Sequence, residues 1–212
     1  MEPKIPHLIV AGVVSTYWLC VIVMSIRSRI KFSTPSGSLP KTPVEKAMWL
    51  LWVPTIVAWI AIGWNSRNDI WAAIDDTSAL AAQLYYGTLW AFAIIAVVAF
   101  GLTVSCWIRM GKNWSMAVRP DKDTELITDG LFSAVRHPIY ALSLLLMICT
   151  TVVICNWQMM IVAIIHCSML VLKSWNEERY LVGVHGQQYV DYLSRTNRFL
   201  PIKAGFSNSF NA

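Results

Sequence analysis

Five long apolar runs divide this chain and leave little room for a soluble fold. They lie at residues 6–26, 47–64, 79–108, 139–155 and 157–172. Hydrophobic residues make up 56% of the 212 residues and charged residues only 14%, a balance typical of a polytopic membrane protein. Backbone polar groups inside lipid must be satisfied within the segment, which favours helices. We therefore predict a single all-α transmembrane domain over residues 1–212, with five transmembrane helices and a cytoplasmic C-terminal helical segment, 173–212.

The lengths of the runs add detail to this topology. The third run is longer than a crossing requires, so we expect it to tilt or protrude. The fourth and fifth runs are at the short limit for crossing a bilayer, and only Asn156 separates them. A tight helical hairpin with Asn156 near its turn is the first prediction. The alternative is a re-entrant pair that does not cross fully.

Basic residues are sorted between the loops. If all five runs cross, 15 of the 17 lie on one side, which indicates a cytoplasmic C-terminus and an outside N-terminus by the positive-inside rule. The opposite side has Lys4 and Arg67 with the acidic residues Asp69, Asp75 and Asp76. Because the charge is distributed by loop and not gathered into one patch, it does not indicate nucleic-acid binding. The 15 residues are Arg27, Arg29, Lys31, Lys41, Lys46, Arg109, Lys112, Arg119, Lys122, Arg136, Lys173, Arg179, Arg195, Arg198 and Lys203.

The cysteines and tryptophans have ordinary interpretations in such a chain. The five cysteines lie in or beside apolar runs and form no CxxC pair, so we expect apolar packing and no metal site. Most of the tryptophans near the predicted helix ends fit an aromatic belt at the membrane interface. Trp114 and Trp175, on the cytoplasmic side, are alternatives for stacking on a ligand.

Charged and polar residues come directly before the fourth apolar run. The stretch from Gly130 to Tyr140, called the signature segment below, contains Arg136, His137 and Pro138. Proline suits the first turn of a helix, whose free N–H groups attract anions. Arginine can pair with a carboxylate through two parallel hydrogen bonds. The simpler interpretation is that Arg136 contacts lipid phosphates and His137 caps the helix.

A second group of polar residues follows the fifth run. Glu177 and Glu178, called the carboxylate pair below, are adjacent, so their side chains point in different directions and one of them is expected to line a site. Lys173 lies one helical turn before Glu177 and can pair with it on the surface. For this reason we expect Glu178 to be the member that faces a ligand. Tyr189 and Tyr192 contribute to an apolar stripe on the next helix.

These two segments, with Gly186 and Pro201, resemble the integral-membrane methyltransferases typified by isoprenylcysteine carboxyl methyltransferase, a group that includes phospholipid methyltransferases. The resemblance covers roughly residues 100–201. It departs from the usual pattern at Leu131 and Phe132, where Pro-Tyr is common, and at Leu142, where Gly is common. The resemblance implies S-adenosylmethionine as cofactor, bound on the cytosolic side, and an acceptor that enters from the bilayer.

The resemblance also implies roles for particular residues. Arg136 and His137 are the expected catalytic residues. Arg136 suits the carboxylate of the cofactor, and the carboxylate pair suits its ammonium or ribose hydroxyls. The adenine has aromatic partners to stack on. The implied cofactor-binding set is Arg136, His137, Tyr140, Glu177, Glu178 and Tyr192, with Trp175 as a further stacking candidate.

The acceptor decides whether a base is needed. A prenylcysteine carboxylate needs none, whereas a thiol or a phospholipid amine does, and His137 is the best-placed candidate. His166 is the ionisable residue deep inside a run, and it is either functional or a neutral histidine bonded to a neighbouring helix. Two other functions stay open from the residues: a membrane reductase using a nicotinamide cofactor, and a non-enzymatic transporter or scaffold. The oligomeric state does not follow from the sequence.

The charge sorting gives a first prediction. A topology reporter that is active only in the cytoplasm should be active when fused after Ala212, because the basic loops place this end inside. A reporter that is active only on the outer side, fused at the same position, serves as the control. Activity of that outer-side reporter would contradict the predicted orientation.

Overall fold

The computed structural model describes residues 4–32, 43–65, 79–111, 114 and 125–201. Within these ranges the regular structure is helical, and one isolated bridge pairs Val135 with Asn197. The protein is therefore an all-α polytopic membrane protein, as predicted. The helices are α1 (Lys4–Phe32), α2 (Pro43–Asn65), α3 (Ala79–Met110), a 3₁₀ helix at Gly130–Ser133, α4 (Pro138–Ile154), α5 (Trp157–His185) and α6 (Gln187–Arg195).

The five apolar helices pack into a bundle whose outer surface carries many large apolar side chains. Helix α3 lies against α1 and α4, and α2 lies against α1 and α5. The buried core includes Trp59, Leu89 and Met147, while Leu50 and Ile164 are largely exposed on the outside. Helices that are hydrophobic on all sides are expected where the solvent is lipid. The outer side chains therefore indicate contact with the bilayer.

Within the described ranges, four helices are long and apolar enough to cross a membrane: α1, α2, α3 and α5. Helix α4 is shorter, with 17 residues. At about 1.5 Å per residue it spans roughly 25 Å, slightly less than a hydrocarbon core of about 30 Å. The five crossings, with the boundaries given above, stay a prediction.

Helices α4 and α5 form the tight hairpin that the sequence predicts. Cys155 ends α4 in the left-handed conformation, with φ of 45°, and its N–H donates to the carbonyl of Thr151 at 2.9 Å. Asn156 then begins α5, because its side-chain oxygen accepts a hydrogen bond from the backbone N–H of Met159 at 2.8 Å. Asparagine is among the best residues for this N-cap. The connection is thus built from the two residues between the helices.

Helix α5 does not end where its apolar run ends. The run stops at Leu172, but the helix continues as a single element of 29 residues to His185. Lysine and glutamate are good helix formers, so the charged residues after Leu172 change the surroundings of the helix without interrupting it. The carboxylate pair therefore lies on the same helix as the fifth apolar run.

Part of the charge-sorting argument falls on residues that the structure does not describe. These residues are Lys41, Arg67, Asp69, Asp75, Asp76, Lys112, Arg119, Lys122 and Lys203. The orientation of the termini stays a prediction.

Candidate functional site

The signature segment is joined to the C-terminal end of the described chain by main-chain hydrogen bonds. The N–H of Arg136 donates to the carbonyl of Asn197 at 2.8 Å, and the N–H of His137 donates to the carbonyl of Arg198 at 3.1 Å. Pro138 occupies the first turn of α4, as predicted from its fixed φ. These contacts bring the residues after α6 back to the N-terminus of α4.

A salt bridge connects the start of the signature segment to the end of α3. Arg109 contacts Asp129 through both ends of its guanidinium, with Nε 2.8 Å from Oδ1. This hydrogen bonding holds the pKa of Asp129 below its usual value. Both side chains are exposed, so the pair positions the turn without adding much stability.

Glu178 is the centre of the polar cluster. Glu178 is only 4% exposed, yet its carboxylate is surrounded by hydrogen-bond donors. Arg136 Nε and Arg198 Nε each lie 3.0 Å from Oε1, Arg198 Nη2 reaches Oε2, and His137 Nε2 lies 3.2 Å from Oε1. A buried carboxylate is stable only when cations and hydrogen bonds compensate its lost hydration. Here two guanidinium groups and an imidazole supply that compensation.

The second end of Arg136 is also used within the protein. Its Nη1 donates to the carbonyls of Leu193 and Thr196, at the end of α6. Arg136 therefore clamps α5 to the C-terminal end of α6. The interpretation of Arg136 as a lipid contact is not supported by this geometry, because its side chain is 12% exposed.

Glu177 differs from its neighbour in both contacts and exposure. Its Oε2 accepts a hydrogen bond from the Tyr140 hydroxyl at 2.7 Å, and His137 Nδ1 lies 3.8 Å from the same oxygen. The Glu177 side chain is 30% exposed and lines a cavity, whereas Glu178 is not among the lining residues. The sequence favours Glu178 as the ligand-facing member, whereas in the structure Glu177 is the member that lines the cavity.

This difference is related to the position of Lys173, which the sequence analysis places on the surface. Its Nζ lies over the ring of Trp52, 4.8 Å from the centroid, and over the ring of Tyr140, at 5.5 Å. Lys173 is therefore part of the cavity wall, on the same side of the helix as Glu177. Adjacent helical residues point about 100° apart, so turning Glu177 into the cavity turns Glu178 toward Arg198.

His137 does not cap α4 through its side chain. Its ring stacks on Tyr140, with centroids 5.2 Å apart and planes 5° from parallel. One ring nitrogen faces Glu178 and the other faces Glu177. Both nitrogens are directed at carboxylates, and these contacts fix the orientation of the ring.

Helix α6 closes the site with two buried tyrosines. Tyr192 donates its hydroxyl hydrogen to the carbonyl of Phe132, and burial raises the pKa of Tyr192 to about 12. Burial, together with the charges of Glu178 and Glu177, raises the pKa of Tyr189 well above its usual value. Both hydroxyls are therefore protonated near neutral pH. Tyr192 contributes its ring to the cavity and its hydroxyl to the fold.

One continuous cavity connects the polar cluster to the apolar interior. Its polar part includes Arg136, His137, Tyr140, Glu177 and Tyr192. Its inner part is lined by aromatic and hydroxyl side chains from four helices: Tyr17, Trp18, Trp52, Trp107 and Ser143. Trp114 also lines the cavity, whereas Trp175 stacks under Arg198, with 5.5 Å between Cζ and the ring centroid.

Sequence reasoning missed Arg198 and the inner aromatic wall. Arg198 enters the sequence argument only as one of many basic residues, because nothing near it in the chain indicates that it returns to Glu178. Tyr17 and Trp52 lie in apolar runs, where an aromatic residue is expected for packing alone. Only the tertiary arrangement shows that they share a cavity with the signature segment.

Comparison with known proteins supports the resemblance. Residues 91–183 match the model of the isoprenylcysteine carboxyl methyltransferase (ICMT) family. The chain is similar to protein-S-isoprenylcysteine O-methyltransferase B of Arabidopsis thaliana, with 31% identity over 97 residues, which is 44% of this chain and 49% of that protein. It is also similar to protein-S-isoprenylcysteine O-methyltransferase of Schizosaccharomyces pombe, with 22% identity over 162 residues, 74% of this chain and 68% of that protein.

The matched part thus spans about half the length of the Arabidopsis relative. The ICMT-like region contains α4, the carboxylate pair and most of α5, while α1, α2 and α6 lie outside the family match. The resemblance inferred from the signature segment and the carboxylate pair is confirmed.

The buried ion cluster generates a prediction about stability. Glu178→Gln should lower the free energy of unfolding by about 3 kcal/mol, because removing one charge from a buried pair leaves its partners uncompensated. The measurement is reversible unfolding in mixed detergent micelles. Glu177→Gln, one residue earlier and more exposed, is the matched control and should change stability by less than about 0.5 kcal/mol. Equal effects of the two variants would contradict this division of roles.

Proposed function

We propose that this ICMT-like membrane protein transfers a methyl group from S-adenosylmethionine to the carboxylate of a membrane-partitioned prenylcysteine acceptor. The observation that carries the proposal is the single cavity that joins a charged, hydrogen-bonding end to an apolar aromatic interior. A polar cofactor suits the first environment and a lipid-like acceptor suits the second. The names of the relatives support the same reaction.

The residues at the polar end fit the chemistry of this cofactor. Glu177 has a carboxylate that lines the cavity and accepts one hydrogen bond from Tyr140. An ionised carboxylate has about four lone-pair sites, so this one can accept further bonds from an ammonium group or from ribose hydroxyls. His137, Tyr140 and Tyr192 offer ring surface for a base to stack on. Glu178 is assigned a positioning role, because its donors all come from the protein.

Arg136 combines two roles in this proposal. It lines the cavity, and it is held rigidly by Glu178 and by the end of α6. A guanidinium fixed in this way contributes positive charge near the cofactor's carboxylate without needing to reorganise on binding. His137 is oriented by both members of the carboxylate pair, so we assign it to orientation of the site and not to general base catalysis.

When bound, S-adenosylmethionine supplies an electrophilic methyl group. A carboxylate acceptor is already a nucleophile at neutral pH, so the protein does not need to remove a proton. The remaining tasks are to align the carboxylate with the methyl group and to exclude water. In the best intramolecular reactions such alignment lowers the activation free energy by about 7–11 kcal/mol. The buried walls of the cavity and its position inside the bundle suit both tasks.

We also propose that the polar end of the cavity faces the cytoplasm. The basic residues of the first loop and of the C-terminal segment support this orientation through the positive-inside rule. The acceptor then enters laterally from the bilayer, because apolar side chains cover the outer surface of the bundle.

The direct test is methyl transfer from labelled cofactor to three acceptors in detergent or vesicles. A prenylcysteine with a free carboxylate should be methylated, and a phospholipid amine and a small thiol should not. The matched control is the same prenylcysteine as its methyl ester, which offers no free carboxylate. Methylation confined to the amine or the thiol would refute the proposed acceptor, and no binding of the cofactor would refute the proposed reaction.

Glu177→Gln should weaken binding of S-adenosylmethionine by roughly 10- to 100-fold, because it removes one charge-assisted contact. Isothermal titration with the cofactor and with its demethylated product measures the effect. Asp191→Asn, on the exposed side of α6, removes a carboxylate away from the cavity and should bind the cofactor normally. If Glu177→Gln binds the cofactor as tightly as the wild type, Glu177 is not part of the cofactor site.

A further inference from the structure

The inner end of the cavity is closed by side chains from four helices. Ser143 is the lining residue farthest along α4 from the polar end, and Leu170 is the corresponding residue of α5. Trp18 of α1 and Trp52 of α2 also line the cavity, with their rings 6.0 Å apart. One turn beyond Ser143 on α4, Met147 is fully buried and is not among the lining residues. Trp18, Trp52, Ser143 and Leu170 are called the cavity floor below.

His166 lies directly behind this floor. Trp52 Nε1 lies 3.3 Å from His166 Nδ1, and the Ser143 hydroxyl lies 3.1 Å from His166 Nε2. The ring of Trp18 packs edge-on against the ring of His166, with centroids 6.3 Å apart. Leu170 follows His166 by one turn of α5. His166 itself is fully buried and does not line the cavity, so one side chain supports floor residues from three other helices.

The chemistry of these contacts holds the floor in place. An indole N–H can only donate, so Nδ1 of His166 accepts from Trp52, and the neutral ring carries its proton on Nε2, facing Ser143. A buried polar group that loses its partner is costly, which keeps both floor residues at the histidine. Trp59, also fully buried, packs against the His166 ring with centroids 4.8 Å apart. Hydrogen bonds and ring packing thus fix His166 and, through it, the floor.

The floor also sets the depth of the cavity. Glu177 at the polar end and Leu170 in the floor both line the cavity from α5. They are two helical turns apart, which corresponds to about 10 Å along the helix. This depth suits an extended geranyl chain and is shorter than an extended farnesyl chain.

We infer that the cavity floor limits the length of the apolar chain on the methyl acceptor, and that His166 is the positioning residue that holds the floor. The inference rests on the proposed function and adds chain-length specificity to it. Two of the four floor residues, Trp18 and Trp52, lie outside the family match, which begins at residue 91. Because protein interiors are close-packed, a chain that reaches the floor gains contacts, whereas a longer chain has to displace the floor or fold back.

The test measures binding of three probes that differ only in chain length: the S-dimethylallyl, S-geranyl and S-farnesyl derivatives of N-acetylcysteine. Equilibrium binding is measured in detergent with the demethylated cofactor bound, so that no methyl group is transferred. Each affinity is referred to the mole fraction of the probe in the micelles, which removes the effect of partitioning. The wild type should bind the geranyl probe about tenfold more tightly than the dimethylallyl probe, and the farnesyl probe at most about twofold more tightly than the geranyl probe.

Variants of His166 and of the floor are tested on the same three probes. His166→Leu loses both hydrogen bonds and frees the floor to shift, so it should bind the farnesyl probe roughly fivefold more tightly than the wild type, with the dimethylallyl probe changed by less than about twofold. His166→Gln has an acceptor for Trp52 and a donor for Ser143, so it should restore the wild-type preference. Trp18→Leu shortens the floor without removing these bonds and should also strengthen binding of the farnesyl probe.

Two matched controls should keep the wild-type pattern. Ser168→Ala changes a hydroxyl on the exposed side of α5. Trp64→Leu removes a half-exposed tryptophan of α2 that is not among the cavity-lining residues.

Two results would overturn the inference. One is a wild-type affinity that rises by the same factor with each added isoprene unit, because the floor then does not limit the chain. The other is a His166→Leu variant that keeps the wild-type pattern or weakens all three probes equally, which is the result of a purely structural role. Titration of the cofactor checks the folding of every variant, and Ser143→Ala, which removes one of the two bonds, replaces His166→Leu if that variant does not fold. A wild type that binds the cofactor and none of the probes refutes the proposed acceptor, and this result is distinct from a missing length limit.

Discussion

The burial of one carboxylate, Glu178, organises the polar end of this protein. An ion removed from water in this way must be surrounded by opposite charge, and the charge comes from two separate parts of the chain: the residues that precede α4 and the segment after α6. Each part is fixed by meeting the same group. The signature segment and the C-terminal end of the described chain are then close enough to exchange main-chain hydrogen bonds. The two members of the carboxylate pair therefore differ. Glu178 is used in contacts that hold the fold together, and Glu177 faces the cavity.

The sequence predicts those features that depend on local composition. Uninterrupted apolar runs identify the five long helices, and Asn156 between two runs identifies the hairpin turn, because a short polar side chain is what a helix start requires. The assignment within the carboxylate pair depends instead on Arg198, twenty residues later in the chain and returned to α5 only after α6 and a turn. No local pattern contains that information. The end of the fifth apolar run at Leu172 likewise marks a change of surroundings and not the end of the helix.

The buried contacts of His166 also show what the sequence can and cannot predict. A histidine within an apolar run is conspicuous in the sequence, and the sequence correctly presents it as either functional or bonded to a neighbouring helix. The structure shows that it is bonded to Trp52 and Ser143. What the sequence does not contain is which residues His166 meets, since Trp52 and Ser143 lie on two other helices. Buried polar groups of this kind are worth their desolvation only when all of them are satisfied, which makes the set behave as one unit.

Helix α5 fixes the distance between two polar groups, His166 and Glu177. His166 is buried inside the bundle and Glu177 lines the polar end of the cavity, and both lie on this one uninterrupted helix. Their spacing of three helical turns corresponds to about 16 Å and returns to nearly the same angular position. Leu170 and Lys173 occupy the intermediate turns on the same stripe, and both line the cavity. The distance between the buried histidine and the polar end of the cavity is therefore set by helical rise and not by the packing of loops. Inserting or deleting one residue between His166 and Glu177 would rotate one of them relative to the other by about 100°, so that the two could not both keep their present contacts.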